Sequence, residues 1–287
     1  MRTICTIGFF DGVHKGHCYL FEHLQALAAT RGLQPLIVSF DTHPRAVLQS
    51  DFVPQLLTTL QEREALLSAF GQVVMMPFDQ VQPLTARQFM QRLHDEYNVD
   101  VLLMGYDHRF GSDRLHRPQD YRHVGEQTGI EVITLGQFTD GEWHVSSTEI
   151  RQALLNGNIA LANELLGRPY TLSGTVVHGN SIGRTIGFPT ANIQPDCSGK
   201  IVPRNGVYEV LISDEQLEIP HAVGLCNIGT NPTIGNAERT IEVHIKNWEG
   251  DLYGRHLTLS FVRFIREERT FDSLRALQAQ IVRDYSS

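Results

Sequence analysis

Two stretches of this sequence combine residue types and spacings suited to phosphate chemistry. Residues 6–17 read T-I-G-F-F-D-G-V-H-K-G-H and place His14, His17, Gly8, Gly12 and Gly16 within twelve positions. An apolar run ends at Gly8 and a helical pattern begins near His17, so two imidazoles and several backbone N–H groups gather at a helix start. Imidazole donates a hydrogen bond or carries a proton near neutral pH, which suits an α-phosphate gaining negative charge in a transition state. The pair alone says little, because thirteen histidines in 287 residues give an H-x-x-H about 0.6 times by chance. Composition alone favours a strand-to-helix turn with two surface histidines.

The second stretch, residues 179–192, reads G-N-S-I-G-R-T-I-G-F-P-T-A-N. It is neither a P-loop nor a Rossmann glycine fingerprint. Gly179, Gly183 and Gly187 at spacing four describe a glycine-rich flap, and Pro189-Thr190-Ala191-Asn192 a fixed turn. Thr190 and Asn192, two apart on an extended segment, project to one side and could share a hard cation. A glycine-rich hairpin whose Thr and Asn satisfy their own turn fits the same residues.

The elements that must position these stretches divide the chain in two. From Thr3 to Leu135 the pattern predicts strands over residues 3–8, 35–40, 72–78, 99–105 and 131–135, alternating with helices over 17–31, 61–70, 86–98 and 119–128. Capping boxes at Thr59/Glu62, Thr85/Gln88 and Ser146/Glu149 mark helix starts. That alternation means a mostly parallel sheet covered on both faces, with ligands beyond the carboxyl ends of the strands. Residues 9–17, 40–44, 105–111 and 145–151 then fall on one rim. A helix over 159–166 ends at Gly167-Arg168-Pro169, and the texture changes. Strands over 171–178, 207–212, 222–228, 240–245 and 256–264 predict a small barrel, and a last helix over 273–283, with Leu274, Leu277 and Ile281 on one face, predicts its lid. The boundary is placed at Arg168, giving domains 1–168 and 169–287.

Composition limits the partners. A formal charge of −8, with 41% hydrophobic and 20% charged residues, points to a globular protein acting on small molecules rather than nucleic acid or a membrane surface. Cys5, Cys18, Cys197 and Cys226 form no C-x-x-C pair and no zinc spacing, so they read as reduced thiols of a cytoplasmic protein. No run of about 18 apolar residues suggests a membrane span. The expectation is a monomer or weak homo-oligomer.

The string F-D-G-V-H-K-G-H resembles the H-x-G-H signature of nucleotidyltransferases, and in particular the adenylyltransferase half of bacterial bifunctional riboflavin kinase/FAD synthetase. Residues 40–44 resemble that family's F-D-P-H-P, with Thr42 where proline is usual. Residues 105–111 resemble its G-x-D-F-R-F-G, with His108 where an aromatic is usual, and residues 146–151 its S-S-T-x-I-R. The resemblance implies that His14, His17, Ser147 and Arg151 handle the phosphates of ATP, and that Asp107 and Phe110 face flavin or adenine. It implies further contacts from Gly8, Phe9, Asp11, Gly16, His43, Ser146 and Thr148.

Downstream, G-R-T-I-G-F-P-T-A-N is similar to the riboflavin kinase signature, followed in order by N-G-V-Y, N-I-G-T-N-P-T, I-E-V-H-I, D-L-Y-G and R-x-x-x-x-F-D-S-L. Lys246-Asn247-Trp248 stands where an acidic-aromatic pair is usual. This resemblance implies Glu242 as general base and nucleotide or flavin contacts from Gly179, Gly183, Arg184, Gly187, Pro189 and Asn205, with Mg²⁺ on Thr190 and Asn192. The implied fold is a Rossmann-like nucleotidyltransferase α/β domain followed by a riboflavin kinase β-barrel with a C-terminal helix. The implied chemistry is riboflavin to FMN, then FMN to FAD, both from ATP.

Overall fold

The computed structural model describes residues 1–287 except 50, 116, 137, 139–144, 179–186, 215–218, 231–238, 249 and 287, and not the side chains of 219–221. Contacts gather into two compact units, Met1–Ser147 and Thr148–Ser287.

In the first unit β1 (Thr3–Ile7), β2 (Gln34–Phe40), β3 (Gln72–Met76), β4 (Val99–Met104) and β5 (Glu131–Thr134) form a parallel sheet in the order β3-β2-β1-β4-β5. The connections carry α1 (Lys15–Arg31), α2 (Pro44–Leu48), α3 (Leu60–Ser68), α4 (Phe78–Val81), α5 (Ala86–Tyr97) and α6 (Pro118–Thr128). Alternate strand residues enter different cores. Cys5, Ile7, Leu36 and Val38 meet Phe89, Leu93 and Tyr121 of α5 and α6, whereas Ile4 and Ile37 meet Phe21, Leu24 and Leu67 of α1 and α3. A strand buried on both faces must read as a continuous apolar run, and β1 is buried at all five residues. Strand order reverses at β1, so the crevice outside the carboxyl ends of β1 and β4 is the place for a ligand.

The second unit begins with α7 (Ser147–Leu155) and α8 (Ile159–Leu166). A closed barrel follows, of β6 (Tyr170–Val177), β7 (Thr190–Pro195), β8 (Gly206–Asp214), β9 (Ile219–Thr230), β10 (Arg239–Ile245) and β11 (His256–Arg266), in the order β10-β7-β6-β11-β8-β9, before α9 (Leu274–Asp284). The paired strands are antiparallel, and Tyr208, Val210, Ile212, Ile241, Val243 and Ile245 are buried. Alternation on β10 therefore leaves Glu242 and His244 on the outer face.

The short helices α2 and α4 add to the elements the sequence predicts, and two further segments differ from the expectation. Residues 190–195 form the strand β7, although Asn192, Gln194 and Pro195 are poor strand formers. Pairing with β10 and β6 imposes the conformation. In α9 the expected apolar stripe does not face inward throughout, since Leu274 is 53% exposed. The helix is anchored instead by Asp284, 2% exposed, which accepts from Arg266 Nε at 3.0 and 3.1 Å.

Candidate functional site

The first site grows from the turn between β1 and α1. Phe10 (φ 53°), Gly12 (φ 82°) and Val13 (φ 41°) are all left-handed. Such backbone is unfavourable for Phe and Val and holds only where its surroundings enforce it. Phe10 and Val13 are buried in the α1 core, with Phe10 edge-on to Phe21 at 4.9 Å and to His17 at 5.2 Å. A Cβ on Gly8 would lie 2.6 Å from the Phe10 ring, so glycine is required there.

Asp11, 3% exposed, turns its carboxylate into the protein. It accepts from Leu57 N (3.0 and 3.1 Å), Thr58 N (3.1 Å) and Thr58 Oγ1 (3.1 Å), while Thr58 Oγ1 accepts from Gly12 N at 3.0 Å. The Ser147 hydroxyl donates to the Asp11 carbonyl at 2.9 Å. Asp11 thus holds the turn that carries the histidines.

His14 is the N-cap of α1, 5% exposed, and its ring stacks on His17 with centroids 3.6 Å apart and planes 18° apart. A Cβ on Gly16 would come within 3.2 Å of the His14 ring, which explains the glycine between the pair. Both histidines, Gly8, Phe9 and Gly16 line a cavity of about 380 Å³, together with Asp107, His108, Ser146 and Ser147. The cavity lies at the β1/β4 crevice and is large enough for part of a nucleotide.

The structure places the other expected residues as follows. The His43 ring caps α2 by accepting from Arg45 N at 3.1 Å and stands edge-on to Phe9 at 4.8 Å. Phe110, partly buried, packs on Phe89 and Tyr121 at the edge of the core. In its loop the cavity is lined by Tyr106, Asp107, His108 and Arg109. Thr148 and Arg151 lie on α7, in the second unit.

Sequence reasoning missed Arg63. Its guanidinium lies 4.0 Å above the Phe9 ring and donates to the Phe40 carbonyl at 2.5 Å, tying the segment after β1 to the end of β2. The side chain is 1% exposed. Burial lowers its pKa to about 10, opposed by the charges of Asp11 and Asp41. On a helix rich in charge, Arg63 carried no signal that distinguished it from a solvated cation.

Burial also pushes the His108 imidazole down to about 4, against the raising effect of Asp107. The ring is neutral at physiological pH and meets the cavity as an aromatic surface. Between pH 6.5 and 4 the unfolded chain takes up a proton at this position that the folded one resists, so stability falls as pH falls through that window. His108→Phe should remove this loss. The expected gain over the parent at pH 4.5 is about 1 kcal/mol, after discounting for partial exposure, measured by denaturant unfolding at pH 7 and 4.5.

The second site lies on the barrel's outer face. The Thr190 hydroxyl on β7 donates to Glu242 Oε2 on β10 at 3.2 Å, and Asn192 pairs directly across from Glu242. Pro189 and Thr190 also line a small cavity of about 60 Å³ with Trp248, Gly250 and Tyr253, where the Tyr253 ring stacks on His178 at 3.9 Å. Trp248 of the unusual K-N-W segment belongs to that wall, and Asn247 before it is left-handed (φ 55°).

Gly187 is left-handed as well (φ 75°), beside Pro189. Asn205 accepts from Arg239 Nε at 3.0 Å; Arg239 also donates to the carbonyls of Val202 and Pro203. Gly179, Gly183 and Arg184 lie outside the described residues. Burial raises the pKa of Cys5 and Cys226, so neither thiol is a nucleophile.

Comparison with known proteins assigns each half. A FAD synthetase family model matches residues 1–149 and a riboflavin kinase model residues 166–287. A protein of Escherichia coli strain K12 named bifunctional riboflavin kinase/FMN adenylyltransferase is 38% identical over 98% of this chain and 90% of its own length. A protein of the same name from Pseudomonas fluorescens is 35% identical over 99% and 91%.

A crystal structure named Macrolide-efflux Protein, from Streptococcus pneumoniae, covers 99% of this chain and 93% of its own with a TM-score of 0.90 at 32% identity. The efflux in that name stays with that protein. Among the described residues of this chain no helix is long and apolar enough to cross a membrane. With both family models matched in order and curated relatives aligned along nearly its whole length, the chain belongs to the bifunctional riboflavin kinase/FMN adenylyltransferase family.

Proposed function

We propose that the first unit's cavity transfers the adenylyl group of ATP to FMN, and that the outer face around Glu242 passes the γ-phosphoryl group of ATP to riboflavin. For adenylyl transfer the carrying observation is the stacked His14/His17 pair at the N-terminus of α1, inside the cavity. An FMN phosphate oxygen attacks the α-phosphorus and pyrophosphate leaves, so no enzyme nucleophile is needed. The two imidazoles and the N-terminal N–H groups of α1 stabilise the charge that builds on the α-phosphate. Ser146 and Ser147 add hydroxyls to the same wall. A phosphate role for Thr148 and Arg151 is proposed from the S-S-T-x-I-R pattern alone.

For the kinase reaction the carrying observation is the Glu242 carboxylate held by Thr190 beside Asn192. Glu242 takes the proton of the 5′-hydroxyl as it attacks the γ-phosphorus. Thr190 and Asn192 offer neutral oxygens on one face of β7, which fits a Mg²⁺ held mainly by substrate phosphates and water. The ion would neutralise charge on the transferring phosphoryl group. Thr190→Ala should raise the Mg²⁺ concentration for half-maximal kinase rate by about fivefold and leave adenylyl transfer unaltered; an unchanged Mg²⁺ titration would reduce Thr190 to its bond with Glu242.

We divide the functions at 1–168 and 169–287, close to the start of the riboflavin kinase match at residue 166, although α7 and α8 pack with the barrel unit. We further place the protein in the cytoplasm, consistent with cysteines that form no disulfide among the described residues, and as a monomer or weak homo-oligomer. The test of the whole reading is chromatographic. The purified chain is given riboflavin or FMN with ATP and Mg²⁺; FMN and then FAD should appear from the first, FAD and pyrophosphate from the second. Absence of FMN in the first reaction would overturn the kinase assignment, and absence of FAD in the second the adenylyl-transfer assignment.

A further inference from the structure

Glu242 has a second neighbour. In the barrel its strand β10 lies between β7 and β9, and the register sets Asn192 of β7 and Asn227 of β9 directly opposite Glu242 on either side. Directly opposed residues of antiparallel strands point to the same face with Cβ atoms about 5 Å apart. The carboxylate therefore sits in the middle of a row, Asn192–Glu242–Asn227, on the barrel's outer face. Thr190, which holds Oε2, also belongs to β7.

Asn227 is half-buried, and its carboxamide makes no side-chain hydrogen bond to any described residue. Its neighbours in chain, Cys226 and Ile228, are fully buried in the barrel, so the strand cannot rotate to relocate it. A carboxamide fixed beside a reactive carboxylate and left with two donors and an acceptor unused is placed to take a polar partner from solution.

The direction of phosphoryl transfer says which partner. The attacking and departing oxygens lie roughly in line on opposite sides of the phosphorus. On the reading above, the donor phosphates and their cation occupy the β7 side of Glu242, with Thr190 and Asn192. The alcohol must then approach from the β9 side, where Asn227 stands. Riboflavin presents a polyol whose reacting 5′-hydroxyl has a 4′-hydroxyl on the adjacent carbon.

We propose that Asn227 binds the 4′-hydroxyl of riboflavin and thereby sets the 5′-hydroxyl against Glu242, making it a specificity residue for polyol acceptors. This rests on the kinase reading of the Glu242 face and adds to it the side from which the acceptor enters. A site that hydrogen-bonds a substrate hydroxyl rejects an analogue without it, because its own polar group is left unpaired. The same hydroxyl fixes the rotation of the chain and so the attack geometry.

The experiment compares riboflavin with 4′-deoxyriboflavin, measuring kcat/KM for phosphorylation by the wild-type chain, by Asn227→Ala and by Asn227→Asp. The wild type should prefer riboflavin by about tenfold or more, and Asn227→Ala should lose that preference, chiefly through a higher KM for riboflavin with the KM for ATP within about twofold. The ratio of two substrates on one preparation does not depend on the folded fraction. Asn227→Asp, nearly isosteric, should keep a preference for riboflavin because its carboxylate still accepts from a hydroxyl.

An undiminished preference in Asn227→Ala, no preference in the wild type, or loss of preference in Asn227→Asp alone would each overturn the assignment. If Asn227→Ala is too inactive to measure, the wild-type preference and Asn227→Asp decide. A wild-type chain that makes no FMN at all would instead overturn the kinase reading itself.

Discussion

Replacing Glu242 with glutamine is expected to slow FMN formation by about 10²- to 10⁴-fold, the usual worth of a general base, and to leave the conversion of FMN to FAD at its parental rate. Glutamine has the shape of glutamate and still accepts from the Thr190 hydroxyl at Oε1, so the Thr190–Glu242 arrangement survives while the proton acceptor is lost. The defect should appear in kcat, with KM for ATP little changed. Both rates are read from one chromatogram with riboflavin or FMN as starting flavin. Since β10 belongs to the second unit and the histidine cavity to the first, an equal fall in both activities would sink the assignment of separate sites.

The mirror result is expected from His14→Ala. FAD formation from FMN should fall by about 10²- to 10³-fold, as when a preorganised donor to a developing charge is removed, with phosphorylation of riboflavin intact. His14 is the more telling of the pair because it caps α1 and is 5% exposed. Its loss removes a donor and also a support for the His17 ring stacked on it. Parental FAD formation in both His14→Ala and His17→Ala would take the pair out of the mechanism.

Much of this was legible in the sequence because it rested on local rules. Thr59/Glu62 and Thr85/Gln88 form the expected capping boxes on α3 and α5, and α8 runs over the expected residues, with left-handed Gly167 closing it. Strand patterns alternating with helical ones gave the parallel sheet, and the series of short strands beyond Gly167 gave the barrel, as period 2 and period 3.6 dictate. What escaped was set by distant contacts. Nothing near Asp11 says that its carboxylate will be spent on Leu57 and Thr58, 46 and 47 residues away.

Arg63 reads as one more charge on a polar helix until the sheet brings Phe9 beneath it. Phe110 sits in a motif with Asp107 and His108, yet it packs on Phe89 and Tyr121 at the edge of the core. In α9 the hydrophobic spacing was real, but the deciding anchor was the ion pair of Asp284 with Arg266, which periodicity cannot show. Asn227 was visible only as part of a motif, and its place beside Glu242 depends on the pairing of β9 with β10.

The left-handed Phe10 and Val13 bear on how the protein can evolve. Each holds unfavourable backbone worth about 1–3 kcal/mol, kept in place by side chains buried in the α1 core. Glycine would relax the backbone there, yet at Phe10 it would also empty a core site at a cost of about 3–5 kcal/mol, so neither position can be relaxed without loss. A lineage that lost either side chain would loosen the platform under His14 and His17 and forfeit adenylyl transfer while the barrel went on making FMN. The turn is therefore a point where stability and the second activity are tied together, and substitutions there would separate the fates of the two halves of one chain.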